Sequence, residues 1–307
     1  MIFAAMFHHF HGLGHNSSQG SIDATQFEKL IEVLLLNYKI LSPDEYADKI
    51  LNDSLSKRDI CLSFDDALRC QYDIAVPILK KHGIKAFFFV YSSAFLSDPD
   101  KLEFYRDFRS ICYDNIKIFY GDYFKLFKAL YRSLYDEYEE SYRRNYLSEF
   151  PFYTDLDRRF RFTRDIILLE ERYQNIMEEL MSRNSYNQSL RKEHLFMNED
   201  ILKNLSKLGH TIGLHSHSHP TKISALNKNE QKTEYEKNLN YLEAILEKKI
   251  WSMSHPCGDY NEDTLLVLRK LGIKIGFRSS LSVKSIKTHL EIPREDHTNL
   301  ISAYFGN

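Results

Sequence analysis

The chain has 307 residues, 43% of them hydrophobic, with a formal net charge of −2. These values describe a soluble globular protein with enough apolar surface for a substantial core, as one large domain or two small ones. They give no overall electrostatic reason to expect nucleic acid or an acidic membrane surface as partner.

Taken in chain order, the N-terminal run Met1-Ile2-Phe3-Ala4-Ala5-Met6-Phe7 is apolar but lacks a basic leader. It meets His8-His9 before reaching the length of a signal-peptide core, so it reads as a first strand over 2–7. No run approaches the roughly 20 apolar residues of a membrane span. Cys61, Cys70, Cys112 and Cys257 show no paired spacing, which fits reduced thiols better than a disulfide frame or a zinc knuckle. A cytoplasmic location is the expectation. Further strands are expected at 60–64, 86–90, 211–214, 251–254 and 273–277. Between them, Ile74, Ile78 and Leu79 mark a helix before Gly83; Leu202, Leu205 and Leu208 mark one before Gly209; Tyr235, Leu239, Leu242 and Leu246 mark a third. Short apolar runs alternating with helix-period segments indicate an α/β protein on parallel strands, whose chemistry sits at the strands' carboxyl ends.

The stretch 98–193 breaks this rhythm. It carries one helical stripe, Phe124, Phe127, Tyr131, Leu134 and Tyr138, and a second, Ile166, Leu169, Tyr173, Ile176 and Leu180. We read it as a helical insertion in a main domain formed by 1–97 and 194–307. Its aromatic residues can simply pack a small cap. Alternatively, Tyr153, Arg158, Arg161 and Arg164, between the stripes, help enclose a substrate.

Two local patterns carry chemistry. Ser63-Phe64-Asp65-Asp66-Ala67 ends an apolar strand with adjacent carboxylates, and nothing in the packing of a buried strand asks for them. One Asp can ligate a cation while its neighbour stays free to take a proton from water. Far downstream, His215-Ser216-His217-Ser218-His219-Pro220 spaces three imidazoles two residues apart. On a helix only His215 and His219 share a face; on an extended segment all three do. Gly213 and Pro220 argue against a continued helix, so spacing alone leaves His217 open.

These motifs resemble the polysaccharide deacetylase, or NodB-homology, family of carbohydrate esterases. Its first motif reads Thr-Phe-Asp-Asp-Gly and its second His-Ser/Thr-x-x-His-Pro, matched in order by Ser63 to Ala67 and His215 to Pro220. The resemblance covers 1–96 and 196 to the end, leaving the insertion outside. It implies a distorted (β/α) barrel, with Asp65 as catalytic base and Asp66, His215 and His219 as ligands of one divalent metal ion. His217 is then a bystander or supports the ligands from behind. Gly209-His210-Thr211-Ile212-Gly213 is similar to the strand that leads into the family's histidines, with a structural role for His210. Two positions depart. Ser254, in Ser254-His255-Pro256-Cys257-Gly258, stands where an arginine paired with the catalytic Asp is expected; Arg294, in a late Pro-Arg segment, is the candidate replacement. Ala67 replaces Gly, suggesting a different turn after the acids.

Amide cleavage also needs an acid to protonate the leaving amine. Met6-Phe7-His8-His9-Phe10-His11 resembles family members that carry it on the first strand, which makes His8 the first candidate, His297 the second and His255 the third. The implied reaction is hydrolysis of an N-acyl, foremost N-acetyl, group from an amino sugar of a polysaccharide, glycan or glycan precursor, with a backbone N–H near Cys257 or Tyr260 on the oxyanion. Zinc is named first, with Co, Ni or Fe compatible. Rival readings are hydrolysis of an N-formyl sugar or cyclic amide, and a catalytically silent carbohydrate-binding homologue.

Overall fold

The computed structural model of the chain describes residues 3–96, 99–148, 153–279 and 285–306. Ile2 and Asp98, which begin the expected first strand and insertion, lie outside them. The chain divides into two compact units, Met1–Lys101 with Lys192–Asn307, and Leu102–Arg191.

The first unit is built on a parallel sheet. Its strands are β1 (Ala4–Phe7), β2 (Lys39–Ile40), β3 (Asp59–Asp65), β4 (Phe87–Val90), β5 (Thr211–Leu214), β6 (Ser252–Ser254), β7 (Ile275–Arg278), β8 (Ile292–Pro293) and β9 (Glu295–Asp296). They are ordered β8-β7-β6-β5-β4-β3-β1-β9, with β2 pairing only with the start of β3. β8 pairs with β7 and β9 pairs with β1, while a single residue, Arg294, separates β8 from β9. One segment thus joins both edges into a nearly closed (β/α) barrel. Closure removes the open edges that a sheet otherwise exposes. Every residue of β3 and β4 is buried, as expected of strands covered on both faces.

Alternation along the strands sorts the side chains into two layers. Ala4, Cys61, Phe87, Phe89, Ile275, Phe277 and Ile292 share one core cluster with Tyr46, Ala47 and Ile50 of the helix Pro43–Leu51. The alternate residues Phe7, Phe64 and Phe88 stack in a second layer, with Phe27 of the helix Ala24–Asn37 edge-on to it. The helices start where the sequence provides caps: Asp23 with Gln26, Ser42 with Glu45 and Asn227 with Glu230 form reciprocal capping boxes.

The six expected strands are present within one or two residues at their ends. The sequence reading missed β2, β8 and β9, each only two residues long. Such pieces carry no alternation to read.

The second unit is helical: Leu102–Ile111, Ile116–Leu130, Arg132–Ser141, Asp155–Phe162 and Leu169–Arg183 pack around aromatic residues including Phe108, Phe119, Tyr123, Phe160 and Tyr173. Both expected stripes need correction. The first is not one helix, because the backbone breaks at Tyr131 (φ −136°, ψ 60°) and a new helix begins. In the second, Ile166 and Leu169 are exposed and Ile167 and Leu168 are buried instead. A wide π-type turn over Thr163–Leu168 adds a residue and rotates the buried face.

Candidate active site

The carboxyl ends of β1, β3, β5 and β6 converge because the parallel register levels them: Phe7 lies opposite Phe64, Asp65 opposite Phe89, Val90 opposite Leu214, and Ser254 opposite Phe277. Each chemical residue follows directly. His8 comes after β1, Asp65 and Asp66 end β3, and His215 comes after β5.

Asp66, His215 and His219 each offer one ligand atom, and these atoms lie within 4.8 Å of one another. Asp66 Oδ1 is 3.2 Å from His215 Nε2 and 3.3 Å from His219 Nε2. That oxygen is buried without a hydrogen-bond partner. His215 Nδ1 lies 2.8 Å from the Ser254 carbonyl, so it donates there and Nε2 is left to accept. A buried acceptor oxygen facing two imidazole nitrogens, one with its tautomer fixed, fits a divalent cation. His217 is not part of this group; its Nδ1 lies 2.8 Å from Ser92 Oγ.

Asp65 is held differently. Arg294 Nη1 donates to its Oδ1 at 2.7 Å and Nη2 to its Oδ2 at 2.6 Å, with the arginine side chain fully buried. The guanidinium also donates to Ser254 Oγ and Ser63 Oγ, and lies against the rings of Phe89 and Phe277. The cation thus reaches Asp65 from the segment between β8 and β9, not from position 254. Burial alone raises the Asp65 pKa, but the Arg294 charge beside it, with His215, brings it below the ordinary carboxylate value. Asp66 is likewise held low, its burial outweighed by the adjacent imidazoles of His215, His219 and His8.

Among the three candidate acids, His8 alone approaches the carboxylates, its Nε2 3.9 Å from both Asp65 Oδ2 and Asp66 Oδ2. His297 Nε2 is turned to the Gly20 carbonyl at 2.8 Å, and its ring stacks on Phe7. His255 Nε2 lies 2.9 Å from the Leu290 carbonyl; burial lowers its pKa to about 4. Cys257, exposed and left-handed (φ 54°), lies in the tight turn Pro256–Gly258, whose Gly258 N–H closes on the His255 carbonyl. His210 is buried, its Nδ1 accepting from the Ala86 N–H. Tyr153, Arg158, Arg161 and Arg164 all belong to the helical unit.

The polysaccharide deacetylase profile matches residues 52–107 and 180–276. The chain belongs to the polysaccharide deacetylase family. Among solved structures it is similar to the deacetylase PplD of Streptococcus pyogenes in complex with acetate, at 17% identity and TM-score 0.56, covering 96% of this chain and 91% of that one. IcaB from Ammonifex degensii matches at 14% identity and TM-score 0.59, covering 99% and 97%. The BpsB deacetylase domain from Bordetella bronchiseptica matches at 14% and 0.52, covering 96% and 95%. These identities establish a shared fold. Comparison with curated protein sequences gives no match.

Supporting residues of this deacetylase fold escaped the sequence reading. Asn238 accepts from the His215 N–H and donates to the Val90 carbonyl, while Glu234, one turn earlier on the helix Lys228–Leu246, accepts from the N–H groups of His217 and Ser218. Together they fix the histidine loop. A signal existed, since Gln231 and Asn238 occupy buried-face positions of that helix. Gln71 Nε2 donates to the carbonyls of both Asp65 and His8, and no spacing announced it. The loops also store strain: Asp66, Ala67, Ser216 and His219 all have positive φ. Ala67, at 56°, holds a left-handed conformation that costs a non-glycine residue roughly 1–2 kcal/mol.

Proposed function

We propose that the barrel unit hydrolyses an N-acyl, foremost N-acetyl, group from an amino sugar of a glycan or glycan precursor, and that the helical insertion is not part of the catalytic group. The observation that supports this reading is the convergence of Asp66, His215 and His219 beside a second carboxylate, Asp65, held by Arg294. Asp66, His215 and His219 would hold one divalent ion, zinc first, with Co, Ni or Fe suiting the same donors. When bound, such an ion supplies Lewis acidity, lowering the pKa of water and polarising an acyl carbonyl.

The protein's own groups do the rest. Asp65, kept ionised by Arg294, accepts the proton of the attacking water, and Ser254 Oγ, 3.3 Å from Asp65 Oδ2, helps keep the carboxylate aligned. His8 protonates the leaving amine, reaching it from beside both carboxylates. The turn at Cys257 supplies a backbone donor for the tetrahedral oxyanion. Product is then an amino sugar and a carboxylate. None of the four cysteines is joined in a disulfide, which supports a reducing compartment as the setting. Among the described residues no helix is long and apolar enough to cross a membrane.

The test is Asp65→Asn, followed by acetate release from N-acetylated amino-sugar oligomers and by metal analysis. Turnover should fall by about a thousandfold or more, with bound metal unchanged. Near-normal rates in the variant would overturn the assignment; formate release or ring opening from alternative substrates would replace the acetyl group in it.

A further inference from the structure

A guanidinium carries five N–H donors, and the Arg294 side chain is fully buried, so each of them has to find its acceptor inside the protein. All five do. Two go to Asp65, reaching Oδ1 at 2.7 Å and Oδ2 at 2.6 Å. Nη2 donates in addition to Ser254 Oγ at 2.7 Å, and Nε to the Arg278 carbonyl at 3.4 Å. The fifth donor, on Nη1, goes to Ser63 Oγ at 3.1 Å.

Ser63 is itself fully buried, and its hydroxyl proton is committed: Oγ donates to the Ala5 carbonyl of β1 at 3.0 Å, which leaves its lone pairs for Nη1. Ser63 and Asp65 lie two residues apart on β3, so both side chains leave the same face and meet one guanidinium. Ser254 touches Asp65 directly, whereas Ser63 reaches it only through Arg294. A continuous link therefore runs from β1, the strand that leads into His8, through Ser63 and Arg294 to Asp65. Its geometric consequence lies at the carboxylate. Asp65 Oδ2 is the oxygen 3.9 Å from His8 Nε2 and 4.0 Å from His215 Nε2, while Oδ1 is turned to Arg294. Without the Ser63 hydroxyl, one Nη1 proton is left unpaired in the interior; the guanidinium turns to find another acceptor and carries the carboxylate with it. A displacement near 1 Å costs about a hundredfold in rate.

We propose that Ser63 is a positioning residue for the hydrolytic reaction, its hydroxyl fixing Arg294, and through it the base Asp65, in register with the strand that carries His8. This role rests on the hydrolytic reading of the site, while the link from Ser63 to Arg294 can be measured without any turnover.

The experiment compares Ser63→Ala, Ser63→Thr and, as control, Ser252→Ala in the full chain. Ser252 is an equally buried strand serine whose Oγ has no hydrogen-bond partner among the described residues. Acetate release from N-acetylated amino-sugar oligomers should show kcat lowered by about tenfold to a hundredfold in Ser63→Ala, with KM and bound metal little changed. Ser63→Thr keeps the hydroxyl in a residue suited to a strand and should return kcat to within about threefold of wild type. Ser252→Ala should turn over like wild type. In a second arm, urea denaturation followed by tryptophan fluorescence, Ser63→Ala should lower the midpoint by roughly 0.5 M in the wild-type background and by less in the Arg294→Met background, where its partner is already gone. A kcat in Ser63→Ala within about twofold of wild type, a Ser63→Thr variant no faster than Ser63→Ala, or equal midpoint shifts in the two backgrounds overturns the proposal. If wild type releases no acetate, the hydrolytic reading fails by itself, and the urea arm still decides whether Ser63 holds Arg294.

Discussion

Arg294→Met tests the feature on which the site's electrostatics depend. The substitution keeps an unbranched apolar stem between Phe89 and Phe277 but removes a fully buried guanidinium that makes two short bonds to Asp65 and reaches two serine hydroxyls. What remains is a buried carboxylate with the Ser254 hydroxyl at 3.3 Å and the imidazoles of His8 and His215 at 3.9 and 4.0 Å, none of which replaces the guanidinium's paired charge. Removing one partner of a buried pair costs about 3–5 kcal/mol, because the other charge stays desolvated. At roughly 2–4 °C per kcal/mol for a domain of this size, the melting temperature should fall by about 6–20 °C. The sign with pH is fixed as well. Without its cation, Asp65 has a raised folded-state pKa, so the variant gains stability as pH falls through that value, and its deficit at pH 7 should shrink towards pH 4. The assay is urea denaturation followed by the fluorescence of Trp251, the sole tryptophan, which packs edge-on to Phe87 in the barrel core. In the double variant with Asp65→Asn both charges are gone, and much of the loss should return as a coupling of about 2 kcal/mol or more. A loss under about 1 kcal/mol in Arg294→Met, or strict additivity in the double variant, would refute the reasoning.

Three further outcomes follow from the same geometry. Burial lowers the His210 pKa to about 4, so the unfolded chain binds more protons between that value and 6.5. Stability should therefore fall as pH drops through this window, by up to about 3 kcal/mol, and His210→Gln should flatten the slope measured by urea titrations at pH 7, 6 and 5. Gln71→Met removes the donor that ties the Asp65 and His8 carbonyls together; kcat should drop by about tenfold to a hundredfold with KM little changed, and an altered KM at constant kcat would count against it. Gly213→Ala would place a Cβ 2.6 Å from the Phe89 ring and 2.7 Å from Ser252 Oγ, so it should cost at least about 1–3 kcal/mol in the same Trp251 assay.

The amino-acid sequence by itself determined what is local. The six longer strands, the helices between them and the motif at Asp65-Asp66 were legible because burial periodicity, turn residues and adjacency act over a few positions. So was the histidine run, although its spacing left His217 open; the structure answers through Ser92, which holds that ring away from Asp66. Tertiary structure decided the rest. The three candidate acids are alike in sequence, and only the barrel's register turns His8 toward the carboxylates while Gly20 and Leu290 occupy His297 and His255. β8 and β9 are too short to show a pattern, yet their pairing with opposite neighbours delivers Arg294 to Asp65 across the closed barrel. The π-type turn that rotates the second stripe, and the Asn238 and Gln71 clamps, likewise depend on contacts between distant segments. Side-chain chemistry is written residue by residue, but which groups meet is set by strand register and closure, and those are properties of the whole sheet.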